Sequence, residues 1–266
     1  MQLGGVPPGA PGAPGGIVLP GGTADNPLAM GGNPNPPLVT IPLNQLRQVS
    51  IRNLEQTRQS TVPVSVFGEV DCTNLISARE RLKPLAEQRL GLKLTYLPFF
   101  ARAVIKALQQ NPIMNSALTA TGHVIPRQIN LGIATHVPGA VLIPTVMAAE
   151  RLGFWDLARA IDLQTRKAKA GQLTLAEMAL QTFVISNTGS FGGDSLFGTP
   201  VLLPTNTGSI AFETIRKRPV VMGNDQLVVR PMMYLSMTAD HRSVDGSDMI
   251  RMLGRVKECL EKVEMS

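Results

Sequence analysis

Cysteine and aromatic residues are scarce in this sequence, and long apolar runs are missing. Among 266 residues there are two Cys, one Trp, two Tyr and eight Phe. Cys72 and Cys259 show no C-x-x-C spacing. No disulfide framework and no cysteine zinc site follow, and a reduced, buried pair is the expectation for an intracellular chain. Apolar stretches such as 140–146 are far shorter than the ~20 residues a membrane-spanning helix needs, so the chain reads as soluble, without a membrane partner. The N-terminus has neither the basic start and apolar middle of a secretory signal nor the Arg-rich amphipathic character of a transit peptide. The expected compartment is the cytoplasm, or the mitochondrial matrix for a eukaryotic source. Also missing are G-x-x-x-x-G-K-[ST], a G-x-G-x-x-G after a strand, and H-E-x-x-H, which argues against ATP hydrolysis and zinc proteolysis and leaves no metal to expect. A G-x-S-x-G nucleophile elbow is absent, although 189–193 is superficially similar.

What is present is 44% apolar and 17% charged residues, enough for one large core. The net charge of +6 and pI near 9.7 permit attraction to polyanions, but the basic residues are scattered with few aromatics beside them. That disfavours nucleic acid and suits a small anionic ligand or acidic partner proteins. Residues 1–37 hold ten Gly, nine Pro and one charged side chain, Asp25. This composition cannot bury enough apolar area to offset its ordering entropy, so 1–37 is expected to be a flexible linker or tail, with the folded domain at 38–266.

Within that domain the apolar period alternates between helix and strand. Leu43, Leu46, Val49 and Leu54 mark an amphipathic helix over 42–60, ended by Pro63. A strand over 64–70 follows, then a short helix over 73–82 with Asp71 or Thr73 able to cap it. Leu97, Phe100, Val104 and Leu108 repeat at helical spacing, with Pro98 in the first turn and Asn111-Pro112 at the end. Strands are expected over 129–136, 140–146, 182–186, 209–214 and 227–239. Helices are expected over 155–170, closed by Gly171, over 173–180, and at the C-terminus on the stripe Met249, Met252, Leu253, Val256, Leu260. The fold class is α/β.

Three histidines are available for acid–base chemistry near neutral pH, at 123, 136 and 241. His123 beside Gly122 reads as a turn residue and His136 as a strand end. His241 lies in Ala239-Asp240-His241-Arg242-Ser243-Val244-Asp245-Gly246, between a long apolar strand and a helix, where a rigid scaffold can aim a side chain into a cleft.

The pattern D-H-R-x-x-D-G resembles the active-site signature of the dihydrolipoyl acyltransferases, the core components of 2-oxo acid dehydrogenase complexes. Thr182-Phe183-Val184-Ile185-Ser186-Asn187-Thr188-Gly189-Ser190-Phe191-Gly192 is similar to that family's T-F-T-I-S-N-x-G-x-x-G segment, with Val184 the departure. Segments 217–221 and 230–235, Asn111-Pro112 with Asn115, the helix around Arg47 and the strand over 63–71 are also similar, so the resemblance covers about 39–263. The more distant chloramphenicol acetyltransferases usually carry a second His where Asp240 stands here.

The resemblance implies a chloramphenicol-acetyltransferase-like fold, a mixed β-sheet sandwich with flanking helices. It implies acyl transfer, acetyl or branched-chain, between dihydrolipoyl groups and coenzyme A, which enters as a substrate. The lipoyl group would ride on a domain not found in this chain. His241 would be the general base, Ser186 the donor to the oxyanion, and Asp245 the third catalytic-site residue, a motif carboxylate that either orients the site or, as favoured here, pairs with Arg47 to hold the turn. Asn187, Gly189 and Gly246 would give structural support, Gly189 through a backbone conformation other residues resist. No residues are assigned to the coenzyme. The implied assembly is a homotrimer with the site shared between protomers, built into a cubic or dodecahedral core beside a decarboxylating dehydrogenase and dihydrolipoyl dehydrogenase. Segments 217–221 and 253–260 lean towards branched-chain members. The alternatives are a catalytically silent scaffold, and a coenzyme-A-dependent acyltransferase acting on a small alcohol or amine.

Overall fold

The computed structural model describes residues 43–191 and 195–265. The expected linker over 1–37 and the first residues of the expected domain lie outside them. Among the described residues there are five α-helices: α1 (Gln45–Ser60), α2 (Thr73–Leu90), α3 (Leu97–Gln110), α4 (Phe154–Lys169) and α5 (Gly246–Lys262). The strands are β1 (Pro63–Asp71), β2 (Ala117–Thr119), β3 (Gly122–Val124), β4 (Leu131–Ile133), β5 (Thr135–Val137), β6 (Ala140–Leu142), β7 (Thr145–Val146), β8 (Phe183–Asn187), β9 (Gly208–Phe212), β10 (Arg216–Val221) and β11 (Leu227–Asp240).

The main sheet runs β1-β11-β9-β8-β4-β7, with β10 also paired to β11. The β4–β8 and β8–β9 pairings are parallel and the others antiparallel, so the sheet is mixed, as the fold class requires. Strand β11 is its spine. On one side it pairs with β1 from Met232 to Asp240, and on the other with β10 and then β9. The register sum changes by one between the Met232–Arg216 and Leu235–Phe212 pairs. One extra residue is therefore accommodated between Phe212 and Arg216, a β-bulge that bends the sheet just past Glu213.

Alternation gives the sheet two unlike faces. Phe183, Ile185, Ile210, Phe212, Leu235 and Met237 point into an apolar core. There Phe100 of α3 stacks on Phe212 with ring centroids 4.2 Å apart. On α5 the residues Met249, Met252, Leu253, Val256 and Leu260 are all buried, as their spacing predicts, and Cys259 joins them. The opposite face carries small polar residues. Ser65 stands against Thr238, and Phe67, Ser236, Ala211 and Ser186 form one row across four strands. The hydroxyls of Ser65 and Thr238 lie 2.8 Å apart.

Several elements depart from the sequence pattern. The expected strands 129–136 and 140–146 each break, because Pro144 has no amide proton to continue a ladder. Only β4 and β7 join the sheet, while β5 and β6 form a separate hairpin about Gly139, whose φ of +78° suits glycine. The expected helix over 173–180 shrinks to a 3₁₀ turn, Ala176–Met178. Leu175 and Leu180 stay exposed, and a short helix with no buried stripe does not pay its nucleation cost. Helix α2 continues past 82, through Pro84, to Gly91 in the left-handed region. His123 belongs to strand β3, not a turn, with Nδ1 3.3 Å from Ser116 Oγ. Helix α1 forms, but its apolar stripe is open: Leu46, Val49 and Leu54 are 45–46% exposed.

Candidate active site

Strand β11 ends at Asp240 and α5 begins at Gly246, so His241 sits on a tight link between two rigid elements. The link is tied down on both sides. The His241 amide donates to Val62 O at 2.8 Å, and the Val62 amide donates to Asp240 Oδ1 at 3.0 Å. Asp240, 3% exposed, also receives the Arg242 amide and guanidinium, with Nη2 2.7 Å from Oδ2. Arg242 Nη2 donates as well to the Ser60 carbonyl at the end of α1. Burial alone would push the Asp240 carboxyl up. The Arg242 guanidinium, then the Val62 and Arg242 amides, outweigh burial and hold it below the ordinary aspartate range. The imidazole of His241 itself is exposed.

Asp245 is the N-cap of α5. Its Oδ1 accepts from the amides of Ser247 (2.8 Å) and Asp248 (3.2 Å) and from the Ser247 hydroxyl (2.6 Å). Asp248 returns the favour at the Asp245 amide, completing a capping box. These donors, led by the Ser247 hydroxyl, lower the carboxyl's pKa, and the field of His241 adds to them. The expected Asp245–Arg47 pair is not among the described ion pairs. Arg47 lies on the exposed surface of α1, where its amide serves the Asn44 cap. The arginine clamp described on this turn is Arg242 on Asp240. Gly246 has neither a positive φ nor a neighbour within 4 Å of a Cβ, so nothing there requires glycine.

Ser186 lies near the C-terminal end of β8, half-buried, opposite Ala211. Asn187 closes the strand and its carbonyl accepts the Ser190 hydroxyl at 2.8 Å. Gly189 is needed for a different reason from the one expected. Its φ is not in the left-handed region, but a Cβ there would stand 2.6 Å from the Glu213 carbonyl oxygen.

Register fixes how far the two candidate side chains lie apart. Ser186, Ala211 and Ser236 share one row, and His241 is five residues beyond Ser236 along β11. With about 3.3 Å per residue and 4.8 Å per strand, the two Cα positions are about 19 Å apart. Within one chain these residues cannot meet at one reacting carbon.

At the C-terminal end of β8 a cavity of about 540 Å³ opens, with Asn187 and Ser190 in its wall. Lys93, Arg166 and Lys169 also line it, with His136 and a single acid, Asp162, which pairs with Arg166. Sequence reasoning gave none of these residues a ligand role. Arg166 and Lys169 stand one turn apart on α4, a legible pair, but nothing in the sequence joins them to Lys93 or His136. Among the described residues no helix is long and apolar enough to cross a membrane.

The surroundings of these two turns can be compared with known proteins. Residues 35–266 match the family model of the 2-oxoacid dehydrogenases acyltransferase (catalytic domain). The chain is 34% identical over 84% of its length to the dihydrolipoyllysine-residue succinyltransferase component of the 2-oxoglutarate dehydrogenase complex of Bartonella vinsonii subsp. berkhoffii, and covers 54% of that protein. The chain thus spans about half the length of the curated relatives it matches. A probable dihydrolipoamide acetyltransferase from Listeria monocytogenes superposes with a TM-score of 0.81 at 30% identity, covering 85% of this chain and 95% of that one. The Azotobacter vinelandii dihydrolipoamide acetyltransferase superposes with a TM-score of 0.80 at 26% identity, over 87% of this chain and 98% of the other. With the His241 and Ser186 turns both inside the matched span, the chain belongs to the 2-oxoacid dehydrogenase acyltransferase family, through its catalytic domain.

Proposed function

We propose that this chain transfers a short acyl group between a dihydrolipoyl thiol and coenzyme A, at sites each built from His241 of one copy and Ser186 of another. The separation of about 19 Å between the two residues in one sheet carries this reading, because both signatures are intact and neither can complete the other within a chain.

A free thiol with a pKa of about 8.5 is only a few per cent thiolate at neutral pH. The neutral imidazole of His241 removes the proton from the attacking coenzyme A sulfur as that sulfur bonds to the thioester carbon. The carbonyl oxygen becomes an oxyanion and accepts the Ser186 hydroxyl. Collapse re-forms the carbonyl and breaks the bond to the lipoyl sulfur, which recovers the proton from the imidazolium. Asp240–Arg242 and the Asp245 cap hold the His241 turn without touching the reacting atoms.

The basic cavity beside Asn187 suits the coenzyme's phosphates. Lys93, Arg166 and Lys169 supply positive charge, and the 540 Å³ volume lies within the usual range for ligand sites. The open apolar stripe of α1 offers area for contact between copies. A solved relative is described as the cubic core of the pyruvate dehydrogenase multienzyme complex, at 26% identity. By that likeness the chain is a trimer within a larger core, served by a decarboxylating dehydrogenase and dihydrolipoyl dehydrogenase, with the lipoyl group on another domain. The acyl class is kept broad. The motif segments lean to branched-chain groups, the Bartonella relative is named for succinyl transfer and the solved relatives for acetyl transfer.

Initial rates with free dihydrolipoamide and acetyl-, isobutyryl- or succinyl-coenzyme A test the proposal. Turnover with at least one, abolished in His241→Ala, is expected. No turnover with any of the three, or full turnover in His241→Ala, would overturn it.

A further inference from the structure

A buried carboxylate stands behind the Ser186 turn and has no part in the chemistry above. Glu213 is 2% exposed and lies where the β9–β10 bulge begins. A carboxylate withdrawn from water costs several kcal/mol unless hydrogen bonds replace its hydration. Its described side-chain partners are all hydroxyls. Oε2 accepts from Thr188 Oγ1 and, at 3.4 Å, from Ser195 Oγ, while Oε1 accepts from Ser236 Oγ at 3.2 Å. Each hydroxyl has one proton to give; those of Ser195 and Ser236 are directed at this carboxylate, and that of Thr188 is shared between it and the Phe212 carbonyl at 3.3 Å.

One of these bonds and one backbone contact fall on the same turn. Thr188 is two residues past Ser186 in the chain, and Gly189 lies flush against the Glu213 backbone, its absent Cβ 2.6 Å from the carbonyl oxygen. Glu213 therefore holds the turn by side chain and by main chain together. Through Ser195 it also holds residues 195–198, whose Gly198 amide donates to Ser236 Oγ at 3.4 Å. A hydrocarbon side chain could fill such a site without the desolvation cost. What only the acid offers is two oxygens accepting three directed bonds.

We propose that Glu213 is a positioning residue for the Ser186 hydroxyl, acting through Thr188. This rests on Ser186 being the oxyanion donor. A displacement of about 1 Å at a catalytic group can cost a hundredfold in rate, so loosening this turn acts on turnover more than on substrate affinity.

The test is a double-mutant cycle in the assembled protein, reading kcat, KM for dihydrolipoamide and the melting midpoint. Glu213→Ala should lower kcat by about 10- to 100-fold and leave KM within about threefold. Glu213→Gln should recover most of the loss, since its amide oxygen can face Thr188 and Ser195 while its nitrogen donates to Ser236. In a Ser186→Ala background Glu213→Ala should cost nothing further, because the hydroxyl it positions is gone. Should Glu213→Ala not fold, Thr188→Val removes the Thr188 link, together with its 3.3 Å bond to the Phe212 carbonyl, and should lower kcat about tenfold. An equal loss in both Ser186 backgrounds, or wild-type kcat in Thr188→Val, overturns the positioning role and leaves Ser186 in place. Wild-type kcat in Ser186→Ala overturns the Ser186 assignment, and the proposal with it.

Discussion

The turns that carry His241 and Ser186 are made from different materials. At His241 the restraints are charges. Asp240 is clamped by an arginine two residues on, and Asp245 caps α5 through groups two and three residues on. At Ser186 the restraints are hydroxyls, a glycine and one buried acid, Glu213, which reaches Thr188 across 25 positions of sequence. The first turn is thus fixed mainly by charge, is tied to Ser60 and Val62 at the α1–β1 link, and holds an exposed ring on a fixed base. The second depends on the sheet beneath it. A site joined from two chains needs both kinds, a side chain presented outward and a donor set rigidly in a wall.

The largest effects should come from the side chains themselves. His241→Ala should lower turnover by about 10² to 10⁴, Ser186→Ala by about 10² to 10³, each with little change in melting, since neither side chain is among the partners that tie its turn. Mixing the two inactive variants after dissociation and reassembly sharpens the comparison. If each site takes its histidine from one copy and its serine from another, random equal mixing restores about one quarter of the sites, the product of two one-half probabilities. No recovery would place both residues in one chain, against the register.

Next come the restraints on the His241 side. Asp240→Asn should cost about 1–3 kcal/mol at neutral pH, because the Val62 amide and the Arg242 guanidinium lose a charged acceptor. The pH dependence follows from the sign of the shift. The folded carboxyl titrates below its unfolded value, which is about 3.9. Its contribution is complete above that value and disappears as pH falls through the lower, folded pKa. Thermal melts from pH 6 to pH 2 should show wild type losing stability through this window. The gap to Asp240→Asn should narrow as they do.

On the Ser186 side, Arg166→Gln with Lys169→Gln should raise KM for coenzyme A about tenfold, with kcat within about twofold. Added salt should weaken wild-type binding and affect the double variant less. An unchanged KM would remove the cavity from the coenzyme's path and leave the Ser186 turn without its neighbouring ligand site.

This contrast explains what was legible in the sequence. D-H-R-x-x-D-G can be read because its charged ties run between residues two and three apart, while its bonds to Ser60 and Val62 leave no local sign, and α3, α4, α5, β8 and β11 can be read because their apolar periods match the faces they bury. Glu213 gave no sign. It follows the apolar run of β9, and its partners come from distant segments that only the β8–β9 and β9–β11 pairings bring together. The basic cavity beside Asn187 was hidden for the same reason, as was the split of 129–146 into sheet and hairpin, where one proline redirects the ladder. Leu173 to Leu180 misled in the other direction, since helical spacing predicts a helix only where a surface exists to bury its stripe.

The smallest expected effects decide which carboxylate does which work. Asp245→Ala removes the acceptor for the Ser247 and Asp248 amides and should lower melting by a few degrees. Asp245→Asn should lower it much less, because asparagine caps nearly as well as aspartate. Had Asp245 served chiefly as the negative partner of an arginine, Asn and Ala would be equally damaging and Arg47→Met would match them. With Arg47 on the open surface of α1 and no described ion pair to Asp245, Arg47→Met should leave melting unchanged. A drop equal to that of Asp245→Ala, matched by Asp245→Asn, would restore the ion pair.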